Sequence, residues 1–396
     1  MLSYEQALDR VLQFETPVLE TESVALRGIL NRVIAEGQIS SIDVPPFANS
    51  AMDGYALNAE NFDGSQSYQV SQRIIAGSSA ELLESGTIAR IFTGAPVPLG
   101  ANAVVIQEHA SIASDGRVSL SGPVRLNQNI RPAGDDIKKN DVLIPAATVV
   151  NTRGVGLLAN AGIAKATCYK PLRVALLATG NEIRNPGESL AFGQIYNSNY
   201  YLLRAELELL GAEIVECGSC GDNASQTFQA LDRASKEADA VITIGGMSVG
   251  EEDHVREQAS KFGDLDFWKV AIKPGKPLGF GRIGEALFFG LPGNPVSAFV
   301  TFFLFAKPAL KKAMGIHFFR NLSSRAKAGF EYTNKGARTE FIRVKLETDG
   351  WGEPLAKNYR TQSSGVLASL TFADALVMLE PGQVVASGDS LKTYTL

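Results

Sequence analysis

Apolar and polar positions change their period repeatedly along this chain, and each change predicts an element boundary. Ala7, Leu8, Val11, Leu12 and Phe14 fall at helical spacing behind Ser3 and Gln6, which stand at capping-box separation, so a first amphipathic helix opens the chain. Leu26, Ile29, Leu30, Val33 and Ile34 repeat the stripe and predict a second helix over residues 23–34, ended by Gly37. Beyond Pro45-Pro46 the runs shorten to 68–75, 88–92, 103–107 and 117–120, divided by Gly, Asn, Asp and Pro, which predicts an inserted all-β module. After residue 170 the mostly apolar runs 173–178, 240–244 and 286–289 read as strands buried on both faces, and 214–217 as a further strand. Helical patterns over 200–210 and 226–238 separate them, which describes an open, doubly wound parallel α/β sheet. A last helix starts near Pro295 and ends around Gly315. The alternation over 341–347, with turns at Asp349-Gly350 and Pro381-Gly382, predicts a small C-terminal β domain.

These changes divide the chain into a discontinuous part on either side of an insertion (1–44 and 141–170), the inserted β domain (45–140), an α/β domain (171–320) and a C-terminal β domain (321–396). Composition adds little to that division: 45% apolar and 20% charged residues are ordinary for a globular protein. A net charge of -5 argues against a general binder of nucleic acid or of membrane surfaces, while leaving room for a local basic cleft. The apolar stretch 298–306 is too short to span a bilayer, and Met1 leads directly into a helical pattern, so a cytoplasmic location is expected. Three cysteines suit a reducing compartment; Cys217 and Cys220 form a C-x-x-C with no second pair to complete a zinc site, and read as inert thiols.

The candidate chemistry gathers at the strand ends. Residues 239–253, DAVITIGGMSVGEED, run from a buried strand through Gly245-Gly246, which lets the backbone turn sharply and approach a bound group. Ser248 stands where it can cap a following helix, whose amides favour an oxyanion, and Glu251, Glu252 and Asp253 offer the hard oxygen ligands that Mg²⁺ requires. An ordinary strand-turn-helix with acids complementing its dipole explains the same residues. Two further strand ends are alike: Thr179-Gly180-Asn181-Glu182 and the GLPGNPVSA of 290–298, whose Pro292, Gly293, Asn294 and Pro295 lead into a helix that can seat another anion. In FWKVAIKPGK, residues 267–276, Lys269, Lys273 and Lys276 form a candidate positive lining that Pro274 and Pro277 stiffen. The inserted module carries three loops of interest, holding Ser50 and Asp53, then Thr93 in TGAPVP, then Arg131 with Asp135 and Asp136; plain turn chemistry accounts for them equally well.

Six of these motifs, FANSAMDGYA, TGAPVP, TGNE, GGMSVGEED, AIKPGKP and GLPGNPVSA, occur in the order found in one family, and on them the whole chain resembles the molybdopterin molybdenumtransferases, which include the MoeA proteins and the gephyrin E domain. The resemblance implies a multidomain α/β fold: a MogA-like open-sheet domain with an inserted β domain, an elongated helical linker domain (1–44 and 141–170) and a C-terminal β barrel, assembled as an L-shaped homodimer. It implies an enzyme of molybdenum cofactor biosynthesis that inserts molybdate into adenylylated molybdopterin and releases AMP, using Mg²⁺.

Carried over by motif, Glu182, Asp222, Asp253, Lys269, Lys273, Pro292 and Pro295 line the α/β cleft, and Asp53, Thr93 and Asp136 of the inserted domain complete the partner subunit's cleft. Glu182 and Asp253 are then the metal ligands, Lys269 and Lys273 neutralise anions, and Asp53 and Asp136 orient the pterin or a water. Substrate contacts are expected from Ser50, Arg131, Thr179, Gly180, Gly245, Gly246, Ser248, Lys276, Gly293, Asn294, Arg343 and Ser364, with Ser363 as the alternative hydroxyl. The partners implied are MogA-type enzymes and the proteins of molybdoenzyme maturation. Adenylylation of molybdopterin in the MogA manner and a gephyrin-like scaffold are the competing functions.

Overall fold

The computed structural model describes residues 1–17, 19–217, 219–221, 223–247, 254–263 and 265–396. Its α/β part is built on a sheet ordered Glu213–Val215, Arg173–Thr179, Ala240–Ile244, Ala286–Leu291, Pro277–Ile283, Leu265–Lys269, in which the first four strands are parallel and the other two pair antiparallel. Alternate residues serve two cores: Val174, Leu176, Ile242 and Ile244 pack on one face, Ala175, Leu177 and Val241 on the other. That double burial is why these strands read as unbroken apolar runs. From Arg173–Thr179 the chain crosses through helix Ser198–Leu210 to the neighbour on one side, then through Ala224–Glu237 to Ala240–Ile244 on the other. The strand order therefore reverses between Arg173–Thr179 and Ala240–Ile244, the place where open α/β sheets form a crevice.

Helix Tyr4–Gln13 has the expected capping box, with Ser3 and Gln6 satisfying each other's backbone amides, and Phe14 ends it in an extended conformation. Its buried face joins the largest core, where the Tyr4 ring meets Phe305, Phe341 and Tyr394 edge-on at centroid distances of 5.6, 5.1 and 6.3 Å. The second predicted helix does not form. Residues Thr21–Ala25 are a strand antiparallel to Lys165–Tyr169, a single 3-10 turn follows at Leu26–Gly28, and Val33 and Ile34 bridge to Val149 and Cys168. Asn31 adopts a left-handed φ of 63° that interrupts any helix, and the ladder offered by Lys165–Tyr169 outweighs a helical stripe that has no face of its own to pack on. Cys168 is a buried residue of that strand.

The inserted β module is a sheet ordered Ala103–Ile106, Gly54–Leu57, Thr87–Ile91, Ser67–Ile74, Val118–Leu120, Ala110–Ile112. It is joined to the linker region by a ribbon in which Gln38–Ile39 pairs Val142–Ile144, Val44 pairs Ile137, and Asn49–Ser50 pairs Ile130–Arg131. The C-terminal sheet runs Thr339–Thr348, Pro354–Asn358, Ser323–Ala328, Ser390–Thr395, Ala375–Leu379 and closes into a barrel because Thr339–Thr348 also pairs Ala375–Leu379. Ile272–Lys273 adds to Thr339–Thr348 in parallel, tying the α/β part to the barrel. The helix entering at Pro295 is interrupted: Pro295–Thr301 is α, Phe302–Ala306 a π turn, and Lys307–Ala313 α again. Pro308 lacks an amide hydrogen and its ring would strike the carbonyl one turn back, and the wider turn accommodates both.

Candidate active site

The strand ends Thr179, Ile244 and Leu291 lie side by side in the sheet register, and the turns that follow them enclose an open cleft of about 730 Å³. Its lining includes Thr179, Gly180, Glu182, Gly245, Gly246, and Pro292, Gly293, Asn294 and Pro295, so all three predicted turns meet in one place. Backbone angle favours glycine at two of them, and at Gly246 space does so as well. Gly180 has φ 140°, and a Cβ there would stand 2.6 Å from Oε2 of Glu182; Gly246 has φ 67°, and a Cβ there would stand 2.4 Å from Val255 Cγ2. Met247, buried directly after this turn, fills a notch left by Gly279 and Gly290, which face each other on adjacent strands. The Thr179 hydroxyl donates to the Ile244 carbonyl at 3.3 Å and so spans the switch point.

Several of the expected site residues have other partners or lie outside this lining. Pro295 brings no amide, and the Val296 amide donates to the Ser364 carbonyl at 3.0 Å, so the helix after GLPGNP offers an anion less than its start suggested. Ser364 thus uses its backbone to hold the barrel loop against the cleft, where the next residue, Gly365, becomes part of the wall. None of the three lysines lines the cleft among the described residues. Lys269 lies over the Trp268 ring at 3.6 Å, and Lys273 pairs at 2.9 Å with Glu340, whose side chain is 3% exposed and also accepts from Tyr332 at 2.9 Å. Lys276 is exposed and precedes the cleft-lining Pro277. Arg343 is wholly buried: it donates to Ser369 Oγ at 3.0 Å and to the Ser363 carbonyl at 3.0 Å, while its Nη1 has no hydrogen-bond partner among the described residues. Burial pushes its pKa down to about 10. Asp222, Ser248, Glu251, Glu252 and Asp253 lie outside the described residues.

The inserted domain gathers a second set. Asp53 Oδ1 accepts from both the amide and the hydroxyl of Thr93, each at 2.8 Å, and the two bonds, the amide's first, hold the Asp53 carboxyl below the usual carboxylate range. Arg131 sits nearby in register with Asn49 and is exposed. Ser50 is buried and its hydroxyl donates to the Met52 carbonyl at 2.6 Å, a turn-closing bond. Asp136 stands apart at the base of the ribbon, accepting from Asn160 Nδ2 at 3.1 Å. No residue of this domain contributes to the lining of the cleft in its own chain among the described residues.

Three family models match in succession: the MoeA N-terminal region (domain I and II) over residues 2–162, the "Probable molybdopterin binding domain" over 175–312, and the MoeA C-terminal region (domain IV) over 325–396. The chain is 41% identical to a molybdopterin molybdenumtransferase of Haemophilus influenzae, across 80% of this chain and 78% of that one. It is 32% identical to a molybdopterin molybdenumtransferase of Staphylococcus aureus, across 96% and 91%. The chain belongs to the molybdopterin molybdenumtransferase family. The crystal structure of the molybdopterin biosynthesis moeA protein from Pyrococcus horikoshii OT3 superposes with a TM-score of 0.85 at 28% identity, covering all of both chains, so the order and folding of the parts are those of a solved relative.

Set on this molybdenumtransferase fold, the cleft contains residues that the motifs did not single out. Asn197, Ser198 and Asn199 line it from the start of helix Ser198–Leu210. Asn197 caps that helix by accepting from the Tyr200 amide at 3.3 Å, and Asn199 donates to the Gly293 carbonyl at 2.7 Å, bracing one turn against the next. An asparagine before a helical stripe was the available signal for Asn197; nothing local marks Asn199, because its partner lies 94 residues away.

Proposed function

We propose that the protein inserts molybdate into adenylylated molybdopterin, releasing AMP, as a cytoplasmic step of molybdenum cofactor biosynthesis. Membership of the family supports this reading, and the observation that carries it is the convergence of three glycine-walled strand ends on one open cleft at the switch point of the sheet. Such a place suits a ligand with anionic groups, because backbone can approach it closely and its dipoles cost no reorganisation. Glu182 is the carboxylate that lines the cleft among the described residues, a hard oxygen donor of the type Mg²⁺ takes when it keeps several waters and substrate oxygens. Glu182, together with Asp253, would hold that ion, which supplies charge neutralisation for the phosphate groups when bound. Thr179, Gly180, Gly245, Gly246, Pro292, Gly293 and Asn294 shape the seat of the substrate. Lys276, next to the cleft-lining Pro277, lends positive charge there, with Lys269 and Lys273 as the further candidate cations.

The Asp53–Thr93 pair and Arg131 form the other half of the site, oriented toward the substrate. Their separation from the cleft of their own chain supports a homodimer in which each inserted domain serves its partner. A MogA-type enzyme supplying the adenylylated pterin and an acceptor in molybdoenzyme maturation are the partners this chemistry calls for. Reconstitution tests the reading. Purified protein with adenylylated molybdopterin, Mg²⁺ and molybdate yields AMP and active cofactor together, and Glu182→Ala yields neither. Consumption of ATP with accumulation of the adenylylated pterin would replace insertion by adenylyl transfer, and binding without either product would leave a scaffold.

A further inference from the structure

Asp53 and Thr93 stand at one edge of the inserted sheet because of its pairing. Gly54 faces Ile91 on one side and Ile106 on the other, both antiparallel, so the residue before Gly54 and the residues after Ile91 and Ile106 leave the sheet together. Three loose chain ends therefore meet at Asp53, Phe92-Thr93 and Gln107. Arg90 joins all three. Its Nη1 donates to the Gly54 carbonyl at 2.9 Å, and its Nη2 to Gln107 Oε1 at 2.6 Å. Its guanidinium carbon lies 4.4 Å from the centroid of the Phe92 ring and 5.2 Å from that of Tyr55. The Gln107 amide in turn donates to the Asp53 carbonyl at 3.0 Å, which closes a ring of contacts around the pair. A planar fork that bonds in two directions while stacking on a ring suits an arginine and no other cationic side chain.

We propose that Arg90 is a positioning residue, whose guanidinium holds the Asp53 strand end and the Thr93 turn in one fixed geometry. The proposal rests on the reading that Asp53 and Thr93 serve the reaction, and the Asp53→Asn variant tests that reading separately. Arg90 touches no part of the α/β cleft in its own chain, so its effect passes through the pair. The charge of Arg90 also favours the ionised form of Asp53, a smaller influence than the Thr93 bonds.

The test compares Arg90→Ala, Arg90→Lys and Gln107→Met with Arg73→Ala in the full-length protein. Arg73 also lies over the Phe92 ring, at 4.7 Å, and makes neither of the Arg90 hydrogen bonds, so its loss removes local charge and leaves the fork intact. Misplacement of a reacting group by a fraction of its bond length to the substrate lowers turnover on the order of ten- to a hundredfold, so Arg90→Ala loses kcat by about that factor with KM little changed. Arg90→Lys, which keeps charge and cannot bridge both acceptors, fails to restore it. Hydrogen exchange quickens at residues 50–55 and 92–95 and not through the rest of the inserted sheet. Gln107→Met, which keeps volume and backbone, shows the same exchange change to a smaller degree and covers the case in which Arg90→Ala fails to fold. Asp53→Asn inactive beside a fully active Arg90→Ala would overturn the proposal while sparing the reading beneath it; an active Asp53→Asn would overturn both. Equal loss in Arg73→Ala, or rescue by lysine, would show that charge alone matters and sink the positioning role.

Discussion

Asp53 shows how a single carboxylate is prepared by its neighbours. Both donors come from Thr93, and because they bond the charged form, the folded carboxyl titrates below its usual range. A depressed folded value means that the group stabilises the fold above the unfolded carboxylate range and loses that contribution as pH falls through the lowered value. Thr93→Val removes the hydroxyl and keeps the amide, so carboxyl NMR should find Asp53 titrating closer to an ordinary aspartate; an unmoved titration would mean that the hydroxyl bond is not formed in solution. Gly246 makes a similar case by space. Its positive φ and the Val255 methyl 2.4 Å from a would-be Cβ predict that Gly246→Ala destabilises the α/β part by about 1–3 kcal/mol in denaturant unfolding. At this scale the sequence was informative about glycines, whose requirement is local. It was silent about the burial of Ser50 and Arg343, whose surroundings include residues distant in the chain.

Among the elements, strands were more legible than the helix over 23–34. Ala240–Ile244 has the bounds its apolar run predicted, since burial on both faces leaves no polar alternation to confuse the reading. Thr21–Ala25 failed because its partner Lys165–Tyr169 lies more than a hundred residues away, and no local pattern announces a distant ladder. Lys273 belongs to this scale as well. As part of Ile272–Lys273 it crosses from the α/β sheet to the barrel and there meets Glu340, the buried carboxylate among the described residues. Lys273→Met removes the ion pair of Glu340 and leaves it the Tyr332 hydroxyl bond and the more distant charge of Arg343. Because Lys273 itself is 47% exposed, the expected loss is modest, about 1–2 kcal/mol, seen as a lowered midpoint of barrel unfolding. Glu340→Gln should recover part of that loss in the double variant, since the unpaired buried charge is removed with it.

For the whole molecule the question is how the two halves of the site meet. If each inserted domain serves the partner's cleft, Glu182→Ala and Asp53→Asn are each inactive alone and complement when mixed. Random exchange of subunits makes about half of the dimers mixed, each with one intact site of two, so activity should return to about a quarter of wild type. No recovery after verified exchange would place both halves within one chain. The sequence by itself determined the list of parts: the buried strands, the glycine turns that end them, the inserted and C-terminal β regions and the family they resemble, all of which are encoded in residues close together along the chain. Only the tertiary structure decided that Thr21–Ala25 is a strand, that Lys273 pairs with the buried Glu340 and Arg343 faces inward, that Asn199 braces the cleft and that Arg90 ties three strand ends around Asp53. Each of those depends on pairing energies between segments far apart in the chain, where a contact that satisfies a buried polar group outweighs the local preference of the residues that make it.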